Sequence, residues 1–272
     1  MDTSLKYVEL CILIPCYNNT AGLLKSIASI VYDKASYLIV VVDDGSEQML
    51  SREFLDNALG SSYPFHIVSL PENKGITEAL NTGLQWIIDS VQCDYIARLD
   101  CGDICDPQRF YKQIEFLSVN TDIALLGSWC YFQNPEKSII FSHRAPLEHR
   151  NIVKRLYFKN VFIHPTIVVR ADIVKLVGLY PVNYPHAEDY AWFWMIANHG
   201  KTAILPLYLV VCEINMKGIS YTNRRQQLES RMAIIRKFGH KFALKYLAIA
   251  KTWVLMKIPY SIILNIKRLI SF

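Results

Sequence analysis

The run Tyr95-Ile96-Ala97-Arg98-Leu99-Asp100-Cys101-Gly102-Asp103 begins as a buried strand and ends on two carboxylates. Four of its first five residues are apolar or aromatic, and an Asp/Gly cluster after such a run marks a strand end turning into a loop. At a spacing of three, Asp100 and Asp103 can meet on one side of a tight turn. That arrangement suits a hard divalent cation bridging to phosphate oxygens. The competing reading is a polar loop that caps the next helix, because Asp106-Pro107 has the form of a helix start.

The same strand-then-polar pattern recurs upstream. Val8 to Ile14 is an apolar run stopped by Pro15 and followed by Cys16-Tyr17-Asn18-Asn19-Thr20. Leu23, Leu24, Ile27, Ile30 and Val31 then fall on one face of a helix. Leu38 to Val42 ends at Asp43-Asp44-Gly45-Ser46. A helix over Glu47 to Leu59 precedes a third strand, Phe65 to Leu70, and Asn73-Lys74-Gly75 leads into another helix. Tyr95 to Leu99 is the fourth strand. Strand and helix thus alternate four times, with strands apolar on both faces, which predicts a mostly parallel central sheet covered by helices.

Beyond Pro107 the pattern predicts a helix, a strand at Ile123 to Gly127, and a hairpin of Ser128 to Phe132 with Ser138 to Ser142. Further expectations are a helix over Leu147 to Phe158, a strand at Ile167 to Val169, and a helix from Glu188 to Asn198. A strand pair over Ala203 to Cys212, broken at Pro206, and a helix over Gln226 to Phe238 complete the domain. No linker, repeat or low-complexity segment interrupts residues 1–238, so one domain is expected there. Its alternating half would be 1–127 and its second half 128–238.

Composition narrows the function. In 272 residues, hydrophobic types make up 52% and charged types 19%, enough apolar material for a large core and too little charge for disorder. The net charge of +5 comes without a dense basic stripe and interleaved aromatics, so nucleic acid is not an expected partner. Seven cysteines lie without metal-type spacing, and reduced thiols in a cytosolic compartment are expected. Met1 to Ser4 carries no basic region followed by an apolar run, so no signal peptide is predicted. Residues 239–272 are rich in Leu, Ile and aromatics, with Lys241, Lys245, Lys251, Lys257, Lys267 and Arg268. No charge-free apolar run is long enough to span a bilayer. The segment reads as a basic amphipathic helical tail lying on an anionic membrane, or alternatively as one packed on the domain or joining a homo-oligomer interface.

Ligands of open parallel sheets bind beyond the carboxyl ends of the strands. Those ends carry Pro15-Cys16-Tyr17-Asn18, Asp43-Asp44-Gly45-Ser46, Asn73-Lys74-Gly75 and Asp100 to Asp103. Neither GxGxxG nor GxxxxGKS is present, which argues against a dinucleotide fold or a P-loop. With Arg98-Leu99-Asp100, His164-Pro165-Thr166 and Glu188-Asp189-Tyr190, these motifs in this order resemble the glycosyltransferases of family 2. The likeness covers residues 8 to 235, and it implies that 1–127 is the nucleotide-binding half and 128–238 the acceptor half. The resemblance implies a Rossmann-like GT-A fold and, given the length, a bacterial enzyme of O-antigen or capsule synthesis. Such an enzyme would work peripherally on the inner face of the cytoplasmic membrane.

The resemblance also implies roles. Pro15, Tyr17, Asn18, Asp43, Asp44 and Lys74 match positions that hold the base and ribose of a nucleotide-sugar donor, most simply a UDP-sugar. Arg98 is a structural or a diphosphate-facing cation. Asp100 and Asp103 match the aspartates that hold Mn²⁺ or Mg²⁺, although Gly102 stands where the family has an acid. That departure is the best support for a rival reading, a non-catalytic nucleotide-sugar binder; Asp189 is its main obstacle. Asp189, with Glu188 beside it, matches the general base that deprotonates an acceptor hydroxyl; without the resemblance, both acids are explained as favourable charges in a helix first turn. His164 is either a loop-holding histidine or a substrate contact. Trp129, Tyr131 and Trp192 are sugar-stacking candidates or core aromatics. Arg224-Arg225 either approaches the diphosphate or forms a solvated face or a membrane contact. The absence of Gln-x-x-Arg-Trp, a run that resembles processive synthases, favours single addition to a lipid-linked saccharide.

Overall fold

The computed structural model describes residues 6–60, 63–134, 136, 138–214 and 223–258. The first half is strands β1 (Lys6–Cys16), β2 (Tyr37–Asp43), β3 (Phe65–Ser69) and β4 (Val91–Arg98), joined by helices α1 (Thr20–Ala28), α2 (Arg52–Leu59) and α3 (Ile76–Ser90). After β4 come β5 (Ile104–Cys105), α4 (Arg109–Val119), β6 (Ile123–Gln133), β7 (Ile139–His143) and α5 (His149–Leu156). A 3₁₀ turn (His164–Thr166) leads to β8 (Val168–Arg170), α6 (Ala171–Val177), α7 (Glu188–His199) and β9 (Lys201–Glu213). Helices α8 (Arg224–Phe238) and α9 (Phe242–Lys257) follow.

The strands form one sheet in the order β3-β2-β1-β4-β8-β6-β9-β5, with β7 paired to β6. β1 pairs in parallel with β2 and β4, and β2 with β3. β8 is antiparallel to both β4 and β6, while β6 and β9 run parallel. The sheet is therefore parallel from β3 to β4 and mixed beyond β4.

Alternation along the central strands sends side chains into two cores. Cys11, Leu13, Val40 and Val42 face a layer containing Ala79, Leu80, Leu84 and the α7 residues Tyr190, Phe193 and Trp194. Leu10, Ile12, Ile14, Ile39 and Val41 face Leu23, Ile27, Leu55, Phe110 and Ile114. Burial on both faces explains why these strands read as unbroken apolar runs. It also accounts for Trp192, which is core: its Nε1 donates to the Gly178 carbonyl at 2.9 Å.

Among the boundaries that differ from the sequence reading, four do so for a local reason. β1 continues through Pro15 to Cys16. The missing N–H of Pro15 points toward β4 beyond the last registered pair, Leu13 with Arg98, so no ladder bond is lost. α2 begins at Arg52, capped by Ser51, because the Asp43 carboxylate accepts from Ser46 N and Leu50 N and holds residues 46–50 as a loop. The stretches 123–127 and 128–132 are one strand. So is 201–213: Pro206 and Leu207 form a bulge between the pairs Ser128–Leu205 and Trp129–Tyr208, where a proline costs no ladder bond. The expected tail is helical over α9, but its apolar residues lie around the whole helix. Ala248 and Thr252 are buried, whereas Phe242, Tyr246, Leu247, Trp253 and Val254 are exposed. Residues 259–272, the rest of the expected tail, lie outside the described residues. No helix among the described residues is long and apolar enough to cross a membrane.

Candidate active site

The carboxyl ends of β1, β2 and β4 bring the strand-end motifs to one rim. Pro15, Cys16, Tyr17, Asp44, Asn73, Gly75, Ile76 and Ala79 line a cavity of about 300 Å³. Tyr17 is exposed at this cavity, and an open aromatic face beside a carboxylate suits a nucleobase. The two adjacent acids divide their work. Asp43 holds its own loop through two backbone N–H groups. Asp44 reaches across: its Oδ1 accepts from Lys74 N at 2.8 Å, and its Oδ2 from Gly75 N at 2.9 Å and Asn73 Nδ2 at 3.0 Å. Asn18, at φ 48°, ties the end of β1 to the same loop, donating from its N to Ser46 Oγ and accepting from Glu47 N. The Lys74 side chain is exposed.

Gly45 lets the Asp43-Asp44 loop touch the 72–75 turn. Its φ is +70°, and a Cβ there would lie 2.3 Å from the Glu72 carbonyl carbon and 2.6 Å from Asn73 N. Both obstacles are backbone, so Gly45→Ala is expected to cost about 1–3 kcal/mol and to weaken nucleotide binding. Urea unfolding and a UDP titration check this; wild-type values for both would contradict it.

At the end of β4 the acids are fixed from several sides. Arg98 is buried, donates to the Leu13 carbonyl at 3.0 Å and pairs with Asp100. The α1 residue Ser26 pins the turn through the carbonyls of Asp100 and Asp103 and the Gly102 N–H. Gly102 has φ +105°, a conformation closed to an acidic side chain without strain, which gives a backbone reason for its departure from the family's pattern. Asp103 is buried, and its Oδ1 accepts from Glu213 N at the end of β9 at 2.8 Å. Burial, and then the neighbouring Asp100, push its carboxyl up to about 8. A buried acid raised by a second acid nearby marks a place that a cation would favour. Mg²⁺-type ions are commonly held by one or two carboxylates plus substrate phosphates, so this pair fits such an ion. Among the described residues no group of three or more metal-ligating side chains gathers; the remaining ligands would have to come from the donor.

Between this rim and α7 lies a buried polar network that the sequence reading did not find. Asn81 on α3 bonds twice to the backbone of Tyr180, through its N–H and its carbonyl. Tyr180 Oη lies 2.8 Å from His164 Nε2. Burial, reinforced by Arg98, holds His164 well below its usual range, so it is neutral near pH 7. Arg109, fully buried at the start of α4, donates to the carbonyl of Arg98 and to Gln113, which in turn donates to the Thr166 carbonyl. The His164–Thr166 turn and the end of β4 are thereby locked together.

Asp189 sits in the first turn of α7. Its Oδ2 accepts from Asn160 Nδ2 at 2.9 Å and its Oδ1 from Tyr190 N at 2.6 Å. Burial, then Glu188, push its carboxyl up to about 7, with Asp100 adding to the effect. Glu188 is raised as well, by burial first. Asp189 lines a second cavity, of about 240 Å³, with Asn160, His186, Ala187, Tyr190, Gln227, Leu228 and Arg231. A carboxylate poised near neutrality in a cavity is suited to accepting a proton from a bound hydroxyl.

Comparison with known proteins fixes the family. The model of the family described as "Glycosyl transferase family 2" matches residues 11–176. The chain belongs to glycosyl transferase family 2. It is 31% identical to the amylovoran biosynthesis glycosyltransferase AmsE of Erwinia amylovora, over 67% of this chain and 65% of that one. It is 32% identical to an Escherichia coli UDP-Gal:alpha-D-GlcNAc-diphosphoundecaprenol beta-1,3-galactosyltransferase, over 48% of this chain and 46% of that one. Among solved structures, S. aureus TarS 1-349 in complex with UDP-GlcNAc superposes with a TM-score of 0.67 at 16% identity, covering 90% of this chain and 71% of that one. The mannosyltransferase PcManGT of Pyrobaculum calidifontis, in complex with GDP-Man and Mn²⁺, gives 0.60 at 13% identity, covering 99% and 83%. These likenesses carry the GT-A fold, and the chain is a glycosyltransferase related to enzymes of bacterial polysaccharide synthesis.

Of the residues assigned site roles from the sequence, only Pro15, Tyr17, Asp44 and Asp189 are among the lining residues of these two cavities; Trp129 and Arg224 lie outside both and are held by other partners. Trp129 donates from Nε1 to the Ala145 carbonyl and packs beside Tyr208, under the Arg144 guanidinium. Arg224 donates to the carbonyls of Leu255 at 2.5 Å and Ile258 at 3.3 Å, anchoring the end of α9. Asn160, Tyr180, Arg109 and Arg231 carry no local sequence signal; their partners are distant in the chain.

Proposed function

We propose that this chain is an inverting, metal-assisted glycosyltransferase. It moves one sugar from a UDP-sugar to a lipid-linked saccharide at the inner face of the cytoplasmic membrane, in surface polysaccharide synthesis. The observation that carries this reading is Asp189: a carboxyl held near neutrality, lining a cavity and within electrostatic reach of the Asp100 rim. The uracil and ribose would occupy the cavity lined by Pro15, Tyr17 and Asp44, with Asp43, Asn18 and Lys74 holding its loops. Asp100 and Asp103 would hold Mn²⁺ or Mg²⁺, whose contribution is to neutralise charge on the leaving diphosphate.

Asp189 accepts the proton of the acceptor hydroxyl as its oxygen forms the new bond to the anomeric carbon. The bond from that carbon to the diphosphate oxygen breaks, and its electron pair leaves with UDP. Attack opposite to the leaving group inverts the anomeric centre. Neutral His164 and Tyr180 orient the rim without contributing charge. The exposed Phe242, Tyr246, Leu247 and Trp253 of α9, interspersed with Lys245, Lys251 and Lys257, support contact with an anionic bilayer that presents the acceptor.

Calorimetric titration with UDP, with and without Mn²⁺, beside a donor-hydrolysis screen, tests the reading. Tighter binding with Mn²⁺ and slow release of sugar from one UDP-donor are expected. Binding without turnover of any donor would favour a non-catalytic nucleotide-sugar binder.

A further inference from the structure

Two thiols meet where the nucleotide-side cavity joins the turn after β4. Cys16, the last residue of β1, lines that cavity. Cys101 stands between Asp100 and Gly102 and is partly exposed. The two lie 85 residues apart in the chain, yet their sulfurs are 3.7 Å apart. β1 and β4 run in parallel in one register, from Lys6 with Val91 to Leu13 with Arg98, and the Leu99 N–H still donates to the Leu13 carbonyl. Carried three residues on, that register sets Cys101 opposite Cys16. Neighbouring strands run about 4.8 Å apart, within the range of about 4.4–6.8 Å that a disulfide needs between its Cα atoms.

The other cysteines are placed differently. Cys105, the nearest to Cys101 in sequence, is buried and accepts from Arg109 Nη1 at 3.2 Å. Cys11, Cys130 and Cys212 are sealed in apolar clusters. Of the seven cysteines, only Cys16 lines either of the two cavities. Cys101 is also tied to the entry of α1: its Sγ lies 3.1 Å from the Asn19 carbonyl, and Asn19 Nδ2 donates to the Cys101 carbonyl at 3.4 Å. Asn19 caps α1 through Gly22 N, and Ser26 of the same helix holds the Gly102 N–H. The cavity wall, the α1 cap and the acid-bearing turn therefore converge on one pair of sulfurs. A bond between them closes the gap by about 1.7 Å and removes the S–H donated to Asn19. Ser26 couples the carbonyls of Asp100 and Asp103 to the same turn, so the shift reaches both acids.

We propose that Cys16 and Cys101 form a reversible thiol–disulfide pair that disables the donor site when a hydroperoxide oxidises it. One thiol, as its thiolate, attacks a peroxide oxygen. A sulfur–oxygen bond forms, the oxygen–oxygen bond breaks, and water leaves, giving a sulfenic acid. The second thiolate attacks that sulfur. The sulfur–sulfur bond forms, the sulfur–oxygen bond breaks, and a second water leaves. The two sulfurs give up two electrons, hydrogen peroxide takes them, and the two thiol protons end in the two waters. A small dithiol reverses the step by exchange and is itself oxidised to a cyclic disulfide. The loss of donor binding rests on the glycosyltransferase reading above; the cross-link rests on the placement of the two thiols alone.

Two measurements test it, one independent of nucleotide. The full chain is treated with hydrogen peroxide, its remaining thiols are alkylated, and its peptides are mapped by mass spectrometry. The peptide holding Cys16 should be joined to the one holding Cys101, with the other five cysteines alkylated. In the second measurement, UDP is titrated with Mn²⁺ into reduced and oxidised protein. Oxidation should weaken binding by about tenfold or more, and treatment with dithiothreitol, followed by its removal, should restore it. Cys101→Ser, compared with its own untreated sample, should keep its UDP affinity through the same peroxide treatment. The proposal is overturned if peroxide leaves both thiols free, carries either to a sulfinic acid without a link, or joins other cysteines. It is also overturned if the Cys16–Cys101 link forms and UDP affinity is unchanged, or if Cys101→Ser loses affinity as wild type does. If the reduced wild type binds no UDP, the donor reading fails, and the peptide map still decides the disulfide.

Discussion

Asp189→Asn is expected to lower kcat by about 10²–10⁴-fold while UDP still binds, because the amide cannot take the acceptor proton. The nucleotide-side cavity shares no residue with Asp189, so the loss should be confined to turnover. The wild-type profile follows from the carboxyl at about 7, raised by burial, then by Glu188. A base works when deprotonated, so kcat/KM should rise with pH up to about 7 and level above it. Stability should move in the opposite direction. An unfolded Asp releases its proton near pH 3.9. Between that value and about 7 the folded state retains a proton that the unfolded chain has lost. The unfolded state then binds fewer protons, so stability falls as pH rises through this window and stays level above it. Asparagine removes the effect, and one of the bonds from Asn160 or Tyr190 can still be accepted by its carbonyl. The variant should therefore melt higher than wild type at pH 7.5, by on the order of 2–8 °C for a gain of about 1–2 kcal/mol, and the difference should shrink at pH 4.5. Undiminished turnover would remove Asp189 from the base role. A melting difference that ignores pH would remove the explanation for its raised carboxyl.

The legibility of this fold follows the range of the interactions involved. Val8 to Ile14, Leu38 to Val42 and Tyr95 to Leu99 announce strands because helices cover both of their faces, and Phe65 to Leu70, a half-buried strand at the sheet edge, is legible as a short apolar run. The reversal of β8 leaves no such mark. It is three residues long, and its direction is set by where β4 and β6 leave a gap. The Asp43-Asp44 pair shows the same limit at one peptide's distance. In sequence the two acids are equivalent, but the alternation of the strand end turns one into its own loop and the other across to residues 73–75. Positions such as Ser26, which grips a turn 76 residues away, and Asn160, 29 residues from Asp189, belong to no periodic pattern. Their signal is a hydrogen bond, which exists only after the chain has folded. Asp189 itself was legible through its motif; what the structure adds is its shared cavity with Arg231.

Asp44→Ala should have the largest effect on stability, about 3 kcal/mol or more, and should abolish nucleotide binding. Three donors converge on this one carboxylate, and bonds to a charged acceptor are worth about 1.5–3 kcal/mol each, though not additively. Alanine leaves the N–H groups of Lys74 and Gly75 without that acceptor. The consequence spreads through Gly75, which precedes α3 in a left-handed conformation at φ 87° and has no side chain to cap the helix. The Asp44 clasp sets that entry angle, and the first turn of α3 supplies Ile76 and Ala79 to the cavity wall. Loss of the clasp should therefore loosen the wall as well as destabilise the fold. Asp44→Asn is expected to fall between alanine and wild type. Its carbonyl can accept from Lys74 N, but its amide then meets the donors of Asn73 and Gly75. Asp43→Ala provides the contrast: it frees Ser46 N and Leu50 N, loosening the 46–50 loop while leaving the 73–75 turn clasped. Urea unfolding ranks the stabilities, and UDP titration at a temperature where every variant is folded ranks the cavities. If Asp44→Ala binds UDP as wild type does, the nucleotide-side cavity is not formed by this clasp, and the donor must be held elsewhere on the rim.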